Sequence, residues 1–190
     1  VEISGRKGSV TVLEDEQPPN ARPEKIPMLR PAFRKDGTVT AANASSISDG
    51  AAALVLMRKS EAVERGATVR ARILGHTSHA QEPGWFTTAP IPAIEKLLER
   101  VGWSVGDVDL WEINEAFAVV PMAAMKELGI ARERLNIRGG ACALGHPIGT
   151  SGARIIVTLL HAIEALDVKR GVAAICIGGG EGTALAIERV

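Results

Sequence analysis

The apolar positions of this chain recur at spacings that predict several helices. Apolar residues repeat every three or four positions at residues 91–101 and again at 156–166, which is the pattern of a helix with one buried stripe. Residues 60–65 favour a shorter helix. Residues 115–128 favour another, and Pro121 inside it predicts a kink because proline removes one hydrogen bond of the helix.

Six shorter runs are apolar throughout or alternate, which is typical of strands. They are residues 51–57, 69–74, 109–113, 134–138, 171–177 and 183–187. The first is apolar throughout and indicates a strand buried on both faces. The last two are joined by a short glycine turn, so they should pair antiparallel. Strands that alternate with helices predict an α/β layered fold with a mixed sheet.

Residues 14–37 differ from the rest of the chain because they combine five prolines with many charges. Proline lacks the N–H group that helix interiors and central strands need. We therefore expect neither a helix nor a central strand there, but an extended arm that crosses a surface.

Composition narrows the classes of function. Hydrophobic residues make up 46% of the chain, and the 22 Lys and Arg residues balance the 22 Asp and Glu residues. No net field attracts nucleic acid or an anionic membrane, and no apolar run is long enough to span a bilayer. The chain starts without Met or a signal-peptide layout, so we expect it to be processed or excised from something longer.

The two cysteines, Cys142 and Cys176, form neither a disulfide framework nor a metal-type CxxC pair. A reducing, cytoplasm-like compartment is therefore expected. Neither residue suggests a metal site.

Three loops could carry chemistry, and the first is Asn114-Glu115-Ala116-Phe117-Ala118, where a strand gives way to a helix. Asparagine at this position can simply cap the helix. The alternative is that its side-chain amide holds a water or an oxyanion at the carboxyl end of the strand, where open α/β sheets place their ligands.

The second loop, residues 139–152, surrounds His146 with glycines and Pro147. Proline keeps the preceding residue out of the helical region, so the imidazole need not follow the next helix. Thr150 or Ser151 can cap that helix. A structural histidine and a general base are both compatible with the loop, and imidazole is the usual general base near neutral pH.

The third loop is Cys176-Ile177-Gly178-Gly179-Gly180. A cysteine in a buried strand often acts only as a small hydrophobic residue. The alternative is that its thiol shuttles a proton while the backbone N–H groups of the glycines stabilise an oxyanion.

Together these loops, NEAFA, GGACALGHPIGTSGAR and CIGGGEG in this order, resemble the thiolase family. The resemblance extends to LRPAF, GTVTAANASSISDGAAALVLM and APIPA and so runs through the whole chain. It implies the C-terminal half of a thiolase-type layered fold, with a mixed five-stranded sheet covered by helices. Residues 1–37 would be the tail of the loop domain that covers coenzyme A, and residues 38–190 the thiolase C-terminal domain.

The resemblance also implies an activity. Thiolases interconvert a 3-ketoacyl-CoA and CoA with a shortened acyl-CoA and acetyl-CoA through an acyl-cysteine. His146 matches the histidine that activates the nucleophilic cysteine, and Cys176 matches the cysteine that moves the α-carbon proton. Asn114 and Gly178 match donors of two oxyanion holes, the former through a held water. No metal or other cofactor is implied, only coenzyme A thioesters as substrates.

Two further residues are candidate CoA contacts by the same resemblance. Ser45 matches a serine against the pantetheine, and Phe86 stands where a Met-Gly pair often lines the pantetheine tunnel. No segment matches the motif of the nucleophilic cysteine, so we expect an N-terminal half to supply it, within a homo-oligomer. The alternative is a non-catalytic CoA-binding or scaffold module derived from a thiolase.

Overall fold

The computed structural model describes residues 1–190, which divide into two compact units, residues 1–42 and 43–190. In the first unit, β1 (Glu2–Gly5) and β2 (Gly8–Thr11) form an antiparallel hairpin. They are followed by the helical turn α1 (Gln17–Asn20) and by a 3-10 helix at Pro23–Met28. None of these elements contains a buried residue.

The prediction that residues 14–37 form no helix is wrong at α1 and at the 3-10 helix. Pro18 lies in the first turn of α1, where a backbone N–H would have no partner within the helix anyway. The predicted boundary after residue 37 stays a prediction.

The second unit contains four strands and five helices. The strands are β3 (Ala71–Ala80), β4 (Leu110–Ile113), β5 (Arg170–Ile177) and β6 (Glu181–Arg189). The helices are α2 (Lys59–Glu64), α3 (Pro90–Val101), α4 (Val119–Leu128), α5 (Ala141–Leu144) and α6 (Ser151–Ala165). Short 3-10 helices lie at Pro83–Thr88, Val105–Asp107 and Arg132–Arg134.

These strands form one mixed sheet in the order β3-β6-β5-β4. The β3–β6 and β5–β6 pairs are antiparallel, as expected for the last two strands, and β4 runs parallel to β5. The mixed α/β architecture is confirmed, but the sheet has four strands and not five.

The two missing strands fail for different reasons. Residues 51–57 form no strand because no neighbouring strand pairs with them, and Val55 is left 87% exposed. Residues 134–138 make only one isolated bridge, between Leu135 and Trp111. Asn136 adopts a left-handed φ of 47°, which ends any extended run there.

The helix predictions mostly hold, although α4 begins four residues later than expected. Pro121 therefore lies in the first turn of α4, where it breaks no hydrogen bond of the helix and need not kink it. The late start leaves residues 115–118 as a loop.

Helices pack against both faces of the sheet. Alternate side chains send Trp111, Ile113 and Val172 into a cluster with α3 and α4, while Leu110 and Ala173 meet α6. Burying a Leu or Ile side chain contributes about 1.5–3 kcal/mol, so both clusters hold the sheet firmly. None of the helices combines the length and the apolarity that crossing a bilayer requires.

Candidate active site at the carboxyl edge of the sheet

Two of the three predicted loops meet at one edge of the sheet because β4 and β5 run parallel. The backbone N–H of Asn114, the first residue after β4, donates to the carbonyl of Ala174 on β5 at 2.9 Å. Continuing the register of Ile113 with Ala174 places Cys176 level with Glu115. Carboxyl edges of this kind are where open α/β sheets bind ligands.

The histidine loop reaches the same edge. The backbone N–H of His146 donates to the carbonyl of Ser46 at 2.8 Å, and His146 forms an isolated parallel bridge with Ile47. This extended backbone is what Pro147 favours in the residue before it. The ring is thereby placed beside the first turn of α6.

A chain of side-chain hydrogen bonds connects Asn114 with His146. A guanidinium Nη2 of Arg154, on α6, donates to Asn114 Oδ1 at 3.2 Å. Asn114 Nδ2 lies 3.3 Å from His146 Nε2, and His146 Nδ1 lies 2.6 Å from Ser151 Oγ. The amide of Asn114 is therefore part of a half-buried network and does not cap α4, so the capping alternative is wrong.

Ser151 is compatible with an imidazole protonated on Nδ1. When its hydroxyl donates to the carbonyl of Pro147 at 3.1 Å, its oxygen accepts the 2.6 Å bond from His146 Nδ1–H. A neutral ring protonated on Nδ1 carries its lone pair on Nε2. Neither Thr150 nor Ser151 caps α6 with its side chain, which corrects that expectation.

Burial and charge together keep His146 neutral. Partial burial lowers the pKa of the imidazole below its ordinary value, and the positive charge of Arg154 lowers it further. At neutral pH the ring is therefore available as a base.

The thiol of Cys176 lies on the other side of the sheet. It belongs to the apolar cluster against α3 and α4, is 7% exposed, and takes no part in the network around Asn114. Burial raises the pKa of this thiol to about 11. Cys176 is therefore protonated at neutral pH.

Gly178 opens the three-residue turn between β5 and β6. It is exposed, with open space where a side chain would lie. Gly180 closes the turn at φ 102°, and a side chain there would overlap the carbonyl of Gln81. Only glycine fits this last position.

The two candidate CoA contacts lie around the Asn114 loop. Ser45 Oγ donates to the carbonyl of Ala116 at 2.9 Å. Phe86, half-buried in a 3-10 helix, meets Phe117 edge-on with ring centroids 6.4 Å apart. Both contact the same loop, and their role toward CoA stays a prediction.

Sequence reasoning missed a carboxylate that joins the first two loops. Glu115 accepts hydrogen bonds from Asn136 Nδ2 and from the backbone N–H of Cys142, both at 3.0 Å. Its carboxylate occupies the space that any side chain at Gly140 would need. The sequence signal for this contact was Glu115 in the first loop together with Gly140 in the second, since glycine leaves room for a side chain from another loop.

Sequence reasoning also missed an ion pair between Glu112 and Arg154. Glu112, in the middle of the buried strand β4, is 2% exposed, and its Oε2 lies 3.9 Å from Nη1 of Arg154. Burial raises the pKa of Glu112 to about 7, although the charge of Arg154 opposes this shift. The signal was a lone charge within the apolar stretch Leu110–Ile113, since a buried charge needs a partner.

Cys142 is a poor nucleophile. Burial raises the pKa of its thiol to about 11, and the adjacent Glu115 carboxylate contributes to the rise. The thiolate is the reactive form, so this agrees with leaving Cys142 out of the catalytic set. No group of three or more His, Cys, Asp or Glu side chains is arranged to hold a metal ion.

Comparison with known protein families establishes the family of this chain. Residues 67–189 match the family model described as "Thiolase, C-terminal domain", and residues 1–60 match "Thiolase, N-terminal domain". This chain belongs to the thiolase family. The predicted absence of an N-terminal thiolase half is not confirmed, because residues 1–60 match that model, although they contain no cysteine.

Relatives of this thiolase chain include a probable acetyl-CoA acetyltransferase of Dictyostelium discoideum, 53% identical over all of the chain and 46% of the relative. An acetyl-CoA acetyltransferase of Thiocystis violacea is 49% identical over 100% of the chain and 49% of its own length. The chain thus spans about half the length of the curated relatives it matches.

Solved structures confirm the thiolase fold. Over 100% of the chain, the Bacillus anthracis acetyl-CoA acetyltransferase superposes with a TM-score of 0.92 at 47% identity, with 48% of that structure covered. The human mitochondrial 3-ketoacyl-CoA thiolase gives a TM-score of 0.85 at 36% identity, again with 48% covered.

Proposed function

We propose that the protein carrying this chain is an acyltransferase of the acetyl-CoA acetyltransferase type, and that the chain supplies its acid and base groups. The observation that carries the proposal is the neutral imidazole of His146, whose Nε2 faces the amide of Asn114 at 3.3 Å. The names of the relatives from D. discoideum and T. violacea support the same activity. The substrates are coenzyme A thioesters, and no step invokes a metal or redox cofactor.

In this mechanism His146 activates a cysteine that lies outside these residues. Nε2 takes the proton of the cysteine thiol while the sulfur attacks the C3 carbonyl of a 3-ketoacyl-CoA. The carbanion of acetyl-CoA leaves as the C2–C3 bond breaks, and an acyl-cysteine remains. CoA then gives its thiol proton to the Cys176 thiolate and attacks the acyl-cysteine. The shortened acyl-CoA is released, and His146 returns its proton to the departing cysteine sulfur.

Cys176 acts on the departing carbanion. A thiol with a pKa near 11 holds its proton at neutral pH and delivers it to C2 of acetyl-CoA in the thiolytic direction. In the direction of condensation, the resulting thiolate removes the same proton. The amide of Asn114, through a water, and the backbone N–H of Gly178 stabilise the oxyanions of the two steps.

Binding of CoA is assigned to Ser45 and Phe86. The hydroxyl of Ser45 donates to the carbonyl of Ala116, and its oxygen remains free to accept a hydrogen bond from an amide of the pantetheine. Phe86 offers an apolar ring beside Phe117 for the pantetheine chain. Neither residue takes part in proton transfer.

The same proposal includes the protein partners. The exposed apolar side chains of Val55 and Leu56 support coverage by further protein, which we assign to the cysteine-bearing half within a homo-oligomer. Relatives from mouse and rat are named cytosolic, which supports a cytoplasmic location.

The test is turnover of acetoacetyl-CoA by the protein that contains both this chain and the cysteine-bearing half. His146→Ala should lower kcat about 10²- to 10⁴-fold, the range that a positioned base contributes. The matched control is His161→Ala, which removes an exposed histidine on α6 that lies 3.4 Å from Arg70. Equal turnover by His146→Ala and the control would refute the assignment.

A non-catalytic CoA-binding module is the second candidate. It is favoured by the lack of cysteine in residues 1–60 and by the raised pKa of Cys142, which makes that thiol a poor nucleophile. Mass spectrometry after incubation with acetyl-CoA separates the candidates, since the enzyme must form an acyl-cysteine once the second half is present. CoA binding without an adduct or turnover would favour the module.

A further inference from the structure

Arg154 occupies a position that the proposed mechanism does not explain. Its side chain is only 17% exposed, its Nε and Nη1 have no hydrogen-bond partner, and its nearest counter-charge is the carboxylate of Glu112 at 3.9 Å. Its one side-chain hydrogen bond goes from Nη2 to Asn114 Oδ1 at 3.2 Å. A buried guanidinium that bonds the active-site amide calls for a role at that amide.

The polarity of the hydrogen bonds gives this role. A guanidinium has only donors, so the atom of Asn114 that faces Arg154 must be the amide oxygen. The other amide atom, Nδ2, is a donor and points at Nε2 of His146. A donor can face Nε2 only if that nitrogen carries a lone pair, so its proton must lie on Nδ1.

We propose that Arg154 is a positioning residue: it fixes the side-chain amide of Asn114 and thereby holds His146 in the Nδ1–H tautomer. Ser151 accepts the Nδ1 proton at the far side of the ring and completes the order. Only the catalytic consequence of this role rests on the proposed function. The tautomer itself is a property of the folded chain.

Charged and titratable groups on the elements packed around His146 bear on its protonation. Arg154 projects from α6, Glu112 from β4 and Glu115 from the loop after β4, and the un-ionised thiol of Cys142 lies in α5. The positive charge of Arg154 opposes protonation of the ring. Glu112, whose pKa is raised to about 7, is mostly protonated in the pH range where the ring of His146 titrates, so it offsets little of that charge there.

Nitrogen-15 NMR of the histidine side chains measures the tautomer and the titration without turnover. The chain has four histidines, and the signal of His146 is assigned by its loss in His146→Gln. The unaltered chain should show a protonated Nδ1 and an unprotonated Nε2. Arg154→Gln should mix the two tautomers and raise the pH midpoint of His146.

Glu112→Gln should leave both the midpoint and the tautomer of His146 nearly unchanged, because a neutral amide then replaces a carboxyl group that is already mostly protonated in that pH range. The matched control is Arg70→Gln, which removes an exposed arginine paired with Glu164 on the same helix α6. That control should leave the signals of His146 where they were. Identical His146 signals in Arg154→Gln and the unaltered chain would overturn the proposal.

If Arg154→Gln does not fold, Arg154→Lys decides. Lysine keeps the charge but loses the planar donor, so the midpoint should stay low while the tautomers mix. An unchanged tautomer in Arg154→Lys would also overturn the proposal.

Turnover separates this inference from the proposed function. In the assembled protein, Arg154→Gln should lower kcat roughly tenfold to a hundredfold, within what a positioned base supplies, and leave KM unchanged. If His146→Ala proves fully active, the proposed function fails, while the NMR result for Arg154 still stands or falls by itself.

Discussion

The two sides of the sheet at its carboxyl edge differ in polarity. On the α6 side, His146 lies in a chain of hydrogen bonds that involves Asn114, Ser151 and Arg154. On the side of α3 and α4, the thiol of Cys176 lies among apolar side chains. The imidazole has two inequivalent nitrogens and must be oriented, whereas a thiol has one titrating atom and needs only a suitable environment.

One physical effect nevertheless prepares both groups. Burial disfavours charge, so it lowers the pKa of the imidazole and raises that of the thiol. At neutral pH the first is an unprotonated base and the second a protonated acid. A buried edge of this kind therefore leaves an unprotonated imidazole on one side and a protonated thiol on the other.

The strongest way to break this comparison is to remove the thiol. Cys176→Ala should lower kcat about 10²- to 10⁴-fold because no group then moves the C2 proton. It should also abolish exchange of deuterium from solvent into the methyl group of acetyl-CoA, measured by mass spectrometry. Formation of the acyl-cysteine should persist, since the proposed mechanism assigns that step to His146.

Cys142→Ala is the matched control, because its thiol has a similarly raised pKa but lies in α5. It should retain the exchange. Deuterium exchange that survives in Cys176→Ala would assign the proton transfer to another group.

The next prediction concerns the charge beneath the α6 side. Because the folded state raises the pKa of Glu112 from 4.5 to about 7, the folded chain binds more protons than the unfolded chain between these pH values. The contribution of Glu112 to the free energy of unfolding therefore falls as the pH rises through this window, by up to about 3 kcal/mol.

Glu112→Gln removes this dependence. Relative to the unaltered chain, the variant should gain up to about 3 kcal/mol between pH 4.5 and 8, measured by urea unfolding at each pH. Glu95→Gln, which alters an exposed carboxylate on α3, should change stability by less than about 0.5 kcal/mol throughout. A constant difference for Glu112→Gln would show that this carboxylate keeps an ordinary pKa.

The sequence predicted the local features on both sides of this edge. Glycine and proline constrain the backbone locally, so the loops around His146 and Cys176 could be identified from their spacing. Hydrophobic periodicity predicted α3, α6 and the antiparallel pair β5–β6. These features depend on residues that are neighbours in the chain.

What could not be predicted depends on partners distant in the chain. In the sequence pattern Arg154 lies outside the apolar stripe of α6, as a solvent-facing residue would. In the fold its side chain instead reaches Asn114 at the end of β4. The apolar run at 51–57 has the composition of a buried strand, yet a strand forms only where another strand pairs with it. Neither outcome can be deduced from one segment alone.

The smallest expected effect compares one glycine from each side. Gly140→Ala places a methyl group where the Glu115 carboxylate lies, so the loop or the carboxylate must move, at a cost of about 1–3 kcal/mol. Gly178→Ala meets open space at an ordinary φ and should stay within about 0.5 kcal/mol. Urea unfolding of the two variants measures the difference. Equal stabilities would mean that Glu115 does not hold the histidine loop against the Asn114 loop, and the order of the α6 side would then depend on Arg154 and Ser151 alone.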